Sequence, residues 1–275
     1  MRMLLDLGNT RLKWSARDAT GEVAHGAVAW SEPVADTLRE AWGTLPPADV
    51  VFGASVVDDS REALVAAQAI ATLSREVQWV RSPAAACGVT SAYAEPQRLG
   101  VDRFLAMVAA HAEGRSPCVL VGVGTALTLD ALAGDGSHLG GVIAPGPQLM
   151  QQSLLGATVR VRPEQAGLVT TLADNTADAV ASGCWGACAA LVERFTAQVA
   201  PQLGGAPRLL FGGGDAASLR SLVDQLSELF ADGVLRGLDV WSRVAVPSAA
   251  PRPTTRLHRS LPEGCRCSCV FCSCC

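Results

Sequence analysis

The sequence predicts an α/β protein made of two similar halves that face each other across a cleft. Three observations predict it. An apolar run, a tight polar turn and an alternating run occur at Met3–Trp14 and recur at Pro117–Asp130. Each copy passes through a second turn, Asp18-Ala19-Thr20-Gly21 or Gly134-Asp135-Gly136, into a third apolar stretch, Val23–Trp30 or Leu139–Ala144. Sequence of helical period follows, at Phe104, Met107, Val108 and His111, and at Leu219, Leu222, Val223, Leu226, Leu229 and Phe230. The halves are expected at residues 1–114 and 115–246, with 247–275 a disordered Cys-rich tail outside the fold.

Composition bounds the function. With 49% hydrophobic and 17% charged residues in 275, the chain can fill two cores, and disorder of the whole is excluded. The net charge of -4 and the scattered arginines offer no basic stripe, so nucleic acid is not expected as a partner. Asp6 interrupts what a signal peptide would need, and the uncharged run Ser116–Leu129 is too short to span a bilayer. These features predict a cytoplasmic protein without a membrane partner. Cys87, Cys118, Cys184 and Cys188 read as small core residues of a reducing compartment. Cys265, Cys267, Cys269, Cys272, Cys274 and Cys275 crowd the end without the two spaced pairs and intervening domain of a zinc module, and read as an incidental tail.

The first hairpin carries the chain's single lysine, Lys13, beside the turn Gly8-Asn9-Thr10. A compact ammonium in a chain that otherwise uses arginine suits a point contact with phosphate, although it is also compatible with a last lysine on a solvated strand. The tip offers backbone N–H groups and a hydroxyl to phosphate oxygens, and Asp6, on the strand leading in, is placed to hold Mg2+. Next, Leu99-Gly100-Val101-Asp102-Arg103-Phe104 opens a helix. Asp102 reads either as its N-cap or as a carboxylate that accepts a hydroxyl proton, with Arg103 beside it for an anionic group.

Gly124-Thr125-Ala126 is the matching cradle of the second half. Then Arg208–Asp215 reads as a buried strand running through a glycine turn into the Leu219–Phe230 helix, with Asp215 as N-cap. An Asp, an Arg, a Lys and a metal carboxylate around two phosphate loops suffice for phosphoryl transfer, which relies on positioning and charge neutralisation. His25, His111, His138 and His258 lie in no nucleophile or metal spacing, and no Gly-x-Ser-x-Gly appears. Hydrolysis through a covalent intermediate is disfavoured.

Four motifs in this order, Asp6-Leu7-Gly8-Asn9-Thr10-Arg11-Leu12-Lys13, Gly100-Val101-Asp102-Arg103, Gly124-Thr125-Ala126-Leu127-Thr128-Leu129-Asp130 and Gly140-Gly141-Val142-Ile143-Ala144-Pro145-Gly146, resemble the type III pantothenate kinases, which include the Bvg accessory factor proteins. The first motif is shared across the acetate kinase, sugar kinase, Hsp70 and actin superfamily; the second and fourth narrow it. The resemblance implies two ribonuclease H-like (actin-like ATPase) domains and ATP-dependent phosphorylation of pantothenate to 4'-phosphopantothenate, the first step of coenzyme A synthesis. It implies ATP with Mg2+ as cofactor, Asp6 to Lys13 as the ATP phosphate loop (Asp6, Leu7, Gly8, Asn9, Thr10, Arg11, Leu12 and Lys13), and Thr125 as a second ATP contact. Asp102 would be the proton acceptor. Tyr93, Gly100, Val101, Asp102, Arg103 and Thr176 would line the pantothenate pocket, Arg103 suiting the substrate carboxylate. The resemblance also implies a homodimer and a monovalent cation, K+ or NH4+. The family usually holds that cation with an aspartate where this chain has Gly122, so the cation site would be weaker or built differently. The alternatives are another small-molecule kinase of the superfamily and a non-catalytic nucleotide-binding regulator.

Overall fold

A computed structural model describes residues 1–157 and 167–245. The tail from 247, with its six cysteines and His258, lies outside the described residues. The elements are β1 (Arg2–Leu7), β2 (Arg11–Arg17), β3 (Glu22–Ala29), α1 (Val34–Gly43), β4 (Val50–Ser55), α2 (Asp59–Gln68), β5 (Val77–Val80), the short pair β6 (Ala85–Ala86) and β7 (Val89–Thr90), and α3 (Val101–Ala112). There follow β8 (Cys118–Val123), β9 (Ala126–Leu132), β10 (His138–Pro145), α4 (Pro147–Ala157), α5 (Thr176–Val199), β11 (Arg208–Gly212), α6 (Ala216–Arg220), β12 (Ser227–Leu229) and α7 (Gly233–Ala245).

The duplication is real at the level of topology. One sheet has the order β3-β2-β1-β4-β5 and the other β10-β9-β8-β11-β12, position for position the same. In each, the meander is antiparallel and the last two strands add in parallel: β1 with β4 and β5, β8 with β11 and β12. Parallel strands need covered faces, and the sequence supplies near-continuous apolar runs in β1, β4 and β8.

Packing places helices in three layers around the two sheets. Alternate residues Met3, Leu5 and Leu7 of β1 join Trp14, Leu38 and Trp42 on the outer face of the first sheet. The opposite residue, Leu4, meets Phe52, Leu105, Leu235 and Leu238, so α3 and α7 cover the inner face. The other side of α3, through Phe104, Met107 and Val108, packs on Leu120, Leu132 and Leu210 of the second sheet. Val119, Leu127, Leu129 and Phe211 face outward under Trp185, Val192 and Phe195 of α5. The period-four apolar residues of α3 are thus divided between two sheets. Phe104 is fully buried, and its truncation to alanine would cost about 3–5 kcal/mol.

One predicted element is corrected. Leu219–Phe230 is not a helix: α6 ends at Arg220 and β12 pairs in parallel with β11, Leu209 opposite Ser227 and Phe211 opposite Leu229. The apolar residues go to opposite faces of the sheet. Leu219 and Val223 enter the outer core and Phe230 the inner one, while Leu226 is 80% exposed. A helix presents one stripe and cannot serve both faces, so the edge strand wins over the helical spacing. Asp215 does stand just before α6, but its side chain makes no capping bond; its backbone carbonyl accepts from the Leu219 amide at 3.1 Å. Of the four cysteines read as core, Cys118 and Cys188 are buried and Cys87 and Cys184 only partly so; all four are free thiols.

Candidate active site

The first hairpin is held by backbone bonds, not by its side chains. The Gly8 amide donates to the Arg11 carbonyl at 3.1 Å, the Trp30 amide to the Thr10 carbonyl at 3.2 Å, and Trp30 Nε1 to the Gly8 carbonyl at 2.7 Å. Asn9, Thr10 and Arg11 are left exposed. The second hairpin closes likewise, Gly124 amide to Ala126 carbonyl at 3.0 Å, with Thr125 exposed and its carbonyl accepting from the Gly146 amide at 2.9 Å.

Asp6 is opposite Lys13 in the β1–β2 register. Among the described residues no donor hydrogen-bonds its carboxylate. Desolvation raises its pKa to about 7; Lys13 opposes the rise, and the negative charges of Asp102 and Asp232 add to it. This is a half-buried carboxylate short of positive charge, and a hard divalent cation is the kind of group that would relieve it. Lys13 Nζ itself donates to Asp232 Oδ1 at 2.8 Å, joining the first sheet to the segment between β12 and α7.

Asp102 lies in the first turn of α3, not at its cap; the capping position is Gly100. Its Oδ1 accepts from the Arg103 amide at 2.9 Å, and desolvation pushes its pKa up against that bond and the Arg103 charge. A side chain at residue 100 would place its Cβ 2.5 Å from Asp102 Oδ1, which explains the glycine two positions before the aspartate. Electrostatics couples Asp102 to Asp6, so α3 brings its acid to the hairpin.

Arg103 is 7% exposed and already engaged. Its Nε and Nη2 donate to Asp130 Oδ2 and Oδ1 at 2.8 and 2.6 Å, and Nη1 donates to the Tyr93 hydroxyl at 3.0 Å. His138 Nε2 meets Asp130 Oδ1 at 2.9 Å, and the Tyr93 ring stacks on His138 with centroids 6.1 Å apart. Burial would raise the Asp130 pKa, but the hydrogen bonds from His138 and Arg103 outweigh it and hold the carboxyl below its ordinary range. Gly141 completes the knot. A Cβ there would come 2.5 Å from Asp130 Oδ1 and 2.7 Å from Arg103 Nη2.

A cavity of about 200 Å3 is lined by Ser55, Arg81, Ser82, Arg98, Gly100 and Val101, the last two directly preceding Asp102 in the chain. Thr176 stands elsewhere, first in α5 after the N-cap Asn175, whose Oδ1 accepts from the Asp178 amide at 3.0 Å. It lines a larger groove of about 590 Å3 with Leu154, Val180 and Cys184, which Asp6, Lys13 and Asp102 do not enter. The structure therefore brings Asp6, Lys13 and Asp102 together, sets Tyr93 and Arg103 in an adjoining network, and leaves Thr176 apart within one chain.

Residues 2–198 match the family model for type III pantothenate kinase. The chain belongs to the type III pantothenate kinases. It is 43% identical to such a kinase of Xanthomonas campestris pv. campestris over 253 residues, 90% of this chain and 98% of the relative. It is 39% identical to the Laribacter hongkongensis protein of the same name over 245 residues, 89% of this chain and all of the relative. Among solved structures, a 2-dehydro-3-deoxygalactonokinase protein from Sinorhizobium meliloti shares the fold with TM-score 0.59 at 13% identity, covering 92% and 99% of the two chains. So does component A of the Acidaminococcus fermentans (R)-2-hydroxyglutaryl-CoA dehydratase, with TM-score 0.51 at 12% identity, covering 89% and 99%. A kinase family implies ATP and a divalent metal.

Three polar residues of this type III pantothenate kinase escape sequence reasoning. Asp130 was visible only as the end of a motif. His138 fits no ligand spacing because its partner is one carboxylate across a strand pair. Asp232 meets Lys13 across 219 residues, a contact that no local signal announces.

Proposed function

We propose that the protein transfers the γ-phosphoryl group of ATP to the primary hydroxyl of pantothenate, giving 4'-phosphopantothenate. The convergence of Asp6, Lys13 and Asp102 at the end of the first hairpin carries this reading. The Gly8 amide is spent on the Arg11 carbonyl, so the backbone amides of Asn9 and Thr10, with Leu7, Gly8, Arg11 and Leu12 framing the turn, would donate to phosphate oxygens, and Lys13 would neutralise their charge. Thr125 would reach ATP from the second sheet. Asp6 would hold Mg2+, which when bound spreads the charge of the transferring group.

Asp102 would take the hydroxyl proton. Its raised pKa suits that task, since a stronger base is the better acceptor as the proton moves. The cavity beside Gly100 and Val101 would admit the acceptor, and Tyr93, hydrogen-bonded to Arg103, would contact it from the adjoining network. Asp130 occupies the Nε/Nη2 fork of Arg103 that a substrate carboxylate would use bidentately and Tyr93 takes one Nη1 hydrogen, leaving one N–H on each terminal nitrogen for that contact. Thr176, remote within one chain, would contribute through a homodimer. Exposed Val142 and Ile143 on β10 and Leu154 on α4 support such a partner surface. The two lobes would divide at residues 1–114 and 115–246.

Among the described residues no helix is long and apolar enough to cross a membrane, and the reading is of a cytoplasmic enzyme. The space at Gly122 is taken by Thr128, whose Oγ1 would lie 2.5 Å from a Cβ there, so we expect little dependence on K+ or NH4+. The test is ADP release with pantothenate, with and without K+, against sugars as acceptors, for wild type and Asp102→Asn. The expected result is pantothenate-dependent turnover that Asp102→Asn lowers roughly a hundredfold or more while nucleotide binding is kept. Equal turnover in the variant would remove Asp102 from the proton-acceptor role, absence of turnover in the wild type would point to a regulator, and release driven by another acceptor would point to a different small-molecule kinase.

A further inference from the structure

The Lys13–Asp232 pair differs from the ion pairs that Asp239 makes on α7. Arg2 and Arg17 reach Asp239 at 3.1 and 3.4 Å, and the Asp239 side chain is only 10% exposed. That pair of bridges braces the helix against β1 and β2 from within. At the opposite end, Lys13 and Asp232 are 35% and 51% exposed, open to an arriving anion. Asp232 adopts a left-handed backbone with φ of 53°, a conformation that costs a non-glycine residue energy and that aspartate tolerates better than most. It is held there just before α7, with its Oδ1 on the one ammonium of the hairpin. The Arg236 amide donates to its carbonyl at 3.0 Å, fixing the residue as the turn into the helix.

Electrostatics makes this position consequential. Lys13 faces Asp6 across the strand pair, so its ammonium stands among carboxylates, and Asp232 is one of the charges that disfavour ionised Asp6. An ammonium is a point charge with three rotatable donors on a flexible stem, so it can leave one oxygen for another without a fixed geometry. A solvent-exposed pair is weak enough to yield to a polyphosphate.

We propose that Asp232 is the resident counter-ion of Lys13, a carboxylate that holds the ammonium and that an incoming phosphate displaces, so that it tunes nucleotide affinity. The inference rests on the reading that Lys13 meets a nucleotide phosphate. Asp232 is thus a positioning residue that acts through Lys13. Because it competes with the ligand, removing its charge strengthens binding, which a purely structural strut would not do.

The test uses the full chain as wild type, Asp232→Asn, Asp232→Gly and Lys13→Met. Asp232→Gly relaxes the left-handed backbone and covers the case in which the amide folds poorly. Calorimetry measures binding of ATP without Mg2+. Selective 13C,15N labelling of lysine yields one side-chain signal, since Lys13 is the only lysine. Both Asp232 variants are expected to bind ATP about threefold more tightly. Without ATP their Lys13 signal should differ from the wild type, and at saturation it should coincide with it. Equal or weaker ATP binding in both, while Lys13→Met loses it, would overturn the inference and leave the phosphate reading intact. If Lys13→Met binds ATP as well as the wild type, the phosphate reading fails and the counter-ion role goes with it.

Discussion

The two hairpins share one backbone plan and differ in what it carries. In the first, the cross-strand pair one rung from the end of the ladder is Asp6 and Lys13; in the second, the pair at the same place is Gly122 and Thr128. The first keeps an unsatisfied carboxylate at its mouth. The second moves its carboxylate two residues further from the tip along β9, to Asp130, and ties it to Arg103 and His138. Duplication preserves what packing requires, the apolar alternation and the turns. Polar residues are free to diverge, so one copy stores an electrostatic cost and the other spends its polar groups on rigidity.

The largest test of that contrast is Asp130→Asn. It leaves Arg103 buried without its charge partner, and breaking such a pair costs about 3–5 kcal/mol. Denaturant unfolding should show a loss of that order, far more than for Asp232→Asn. Turnover in the fraction that folds should fall through KM for pantothenate more than through kcat, because Arg103 and Tyr93 lose their fixed places. An unchanged unfolding midpoint would show that the knot is not the rigid half of the comparison.

Asp6→Asn should move stability the other way. The folded-state pKa of Asp6 is about 7 against an ordinary 3.8, so the folded protein holds this proton more tightly than the unfolded chain does. Its stabilising effect is complete below about pH 4 and is lost as pH rises toward 7 and beyond. The amide is never ionised and escapes that loss. At pH 8 we expect Asp6→Asn to be more stable than wild type by about 2–4 kcal/mol, a rise in Tm of roughly 5 °C or more, with no gain at pH 4 and with kinase activity gone. A variant less stable than wild type at pH 8 would mean that the Asp6 carboxylate is well compensated after all. A residue that destabilises the fold where it serves function is the pattern expected of an active site.

Most of the scaffold was legible because it is written in local pattern. Both meanders, β11 and α3 follow from apolar alternation, small polar turns and a period of 3.6. Asp6, Lys13 and Asp102 were legible for the same reason, each sitting at a turn or at the opening of a helix. What escaped was set by tertiary pairing. Leu219 to Phe230 read as a helix because Leu219 in the short α6, Val223 in the turn after it and Phe230 just past β12 happen to fall at helical spacing with the exposed Leu226 and Leu229. The partners of Arg103 and Lys13 lie 27 and 219 residues away, and only the return of β9 and α7 to the cleft brings them in.

The smallest effect concerns whether the lost charge can be restored. Gly122→Asp would recreate in the second hairpin the acidic position that Asp6 occupies in the first. Its Cβ would crowd Thr128 Oγ1 at 2.5 Å, but that hydroxyl is the movable end of a side chain and can turn to another rotamer. The expected stability cost is therefore modest, about 1 kcal/mol. The carboxylate would add an oxygen ligand and a negative charge near Thr125, where a monovalent cation could offset the ATP phosphates. Turnover of the variant should then rise a few-fold between Na+ and K+ buffers of equal ionic strength, while that of the wild type stays level. If the wild type already requires K+ as strongly as the variant, its cation is held by other oxygens, such as backbone carbonyls of the Gly124–Ala126 turn, and the divergence between the hairpins is one of side chains alone.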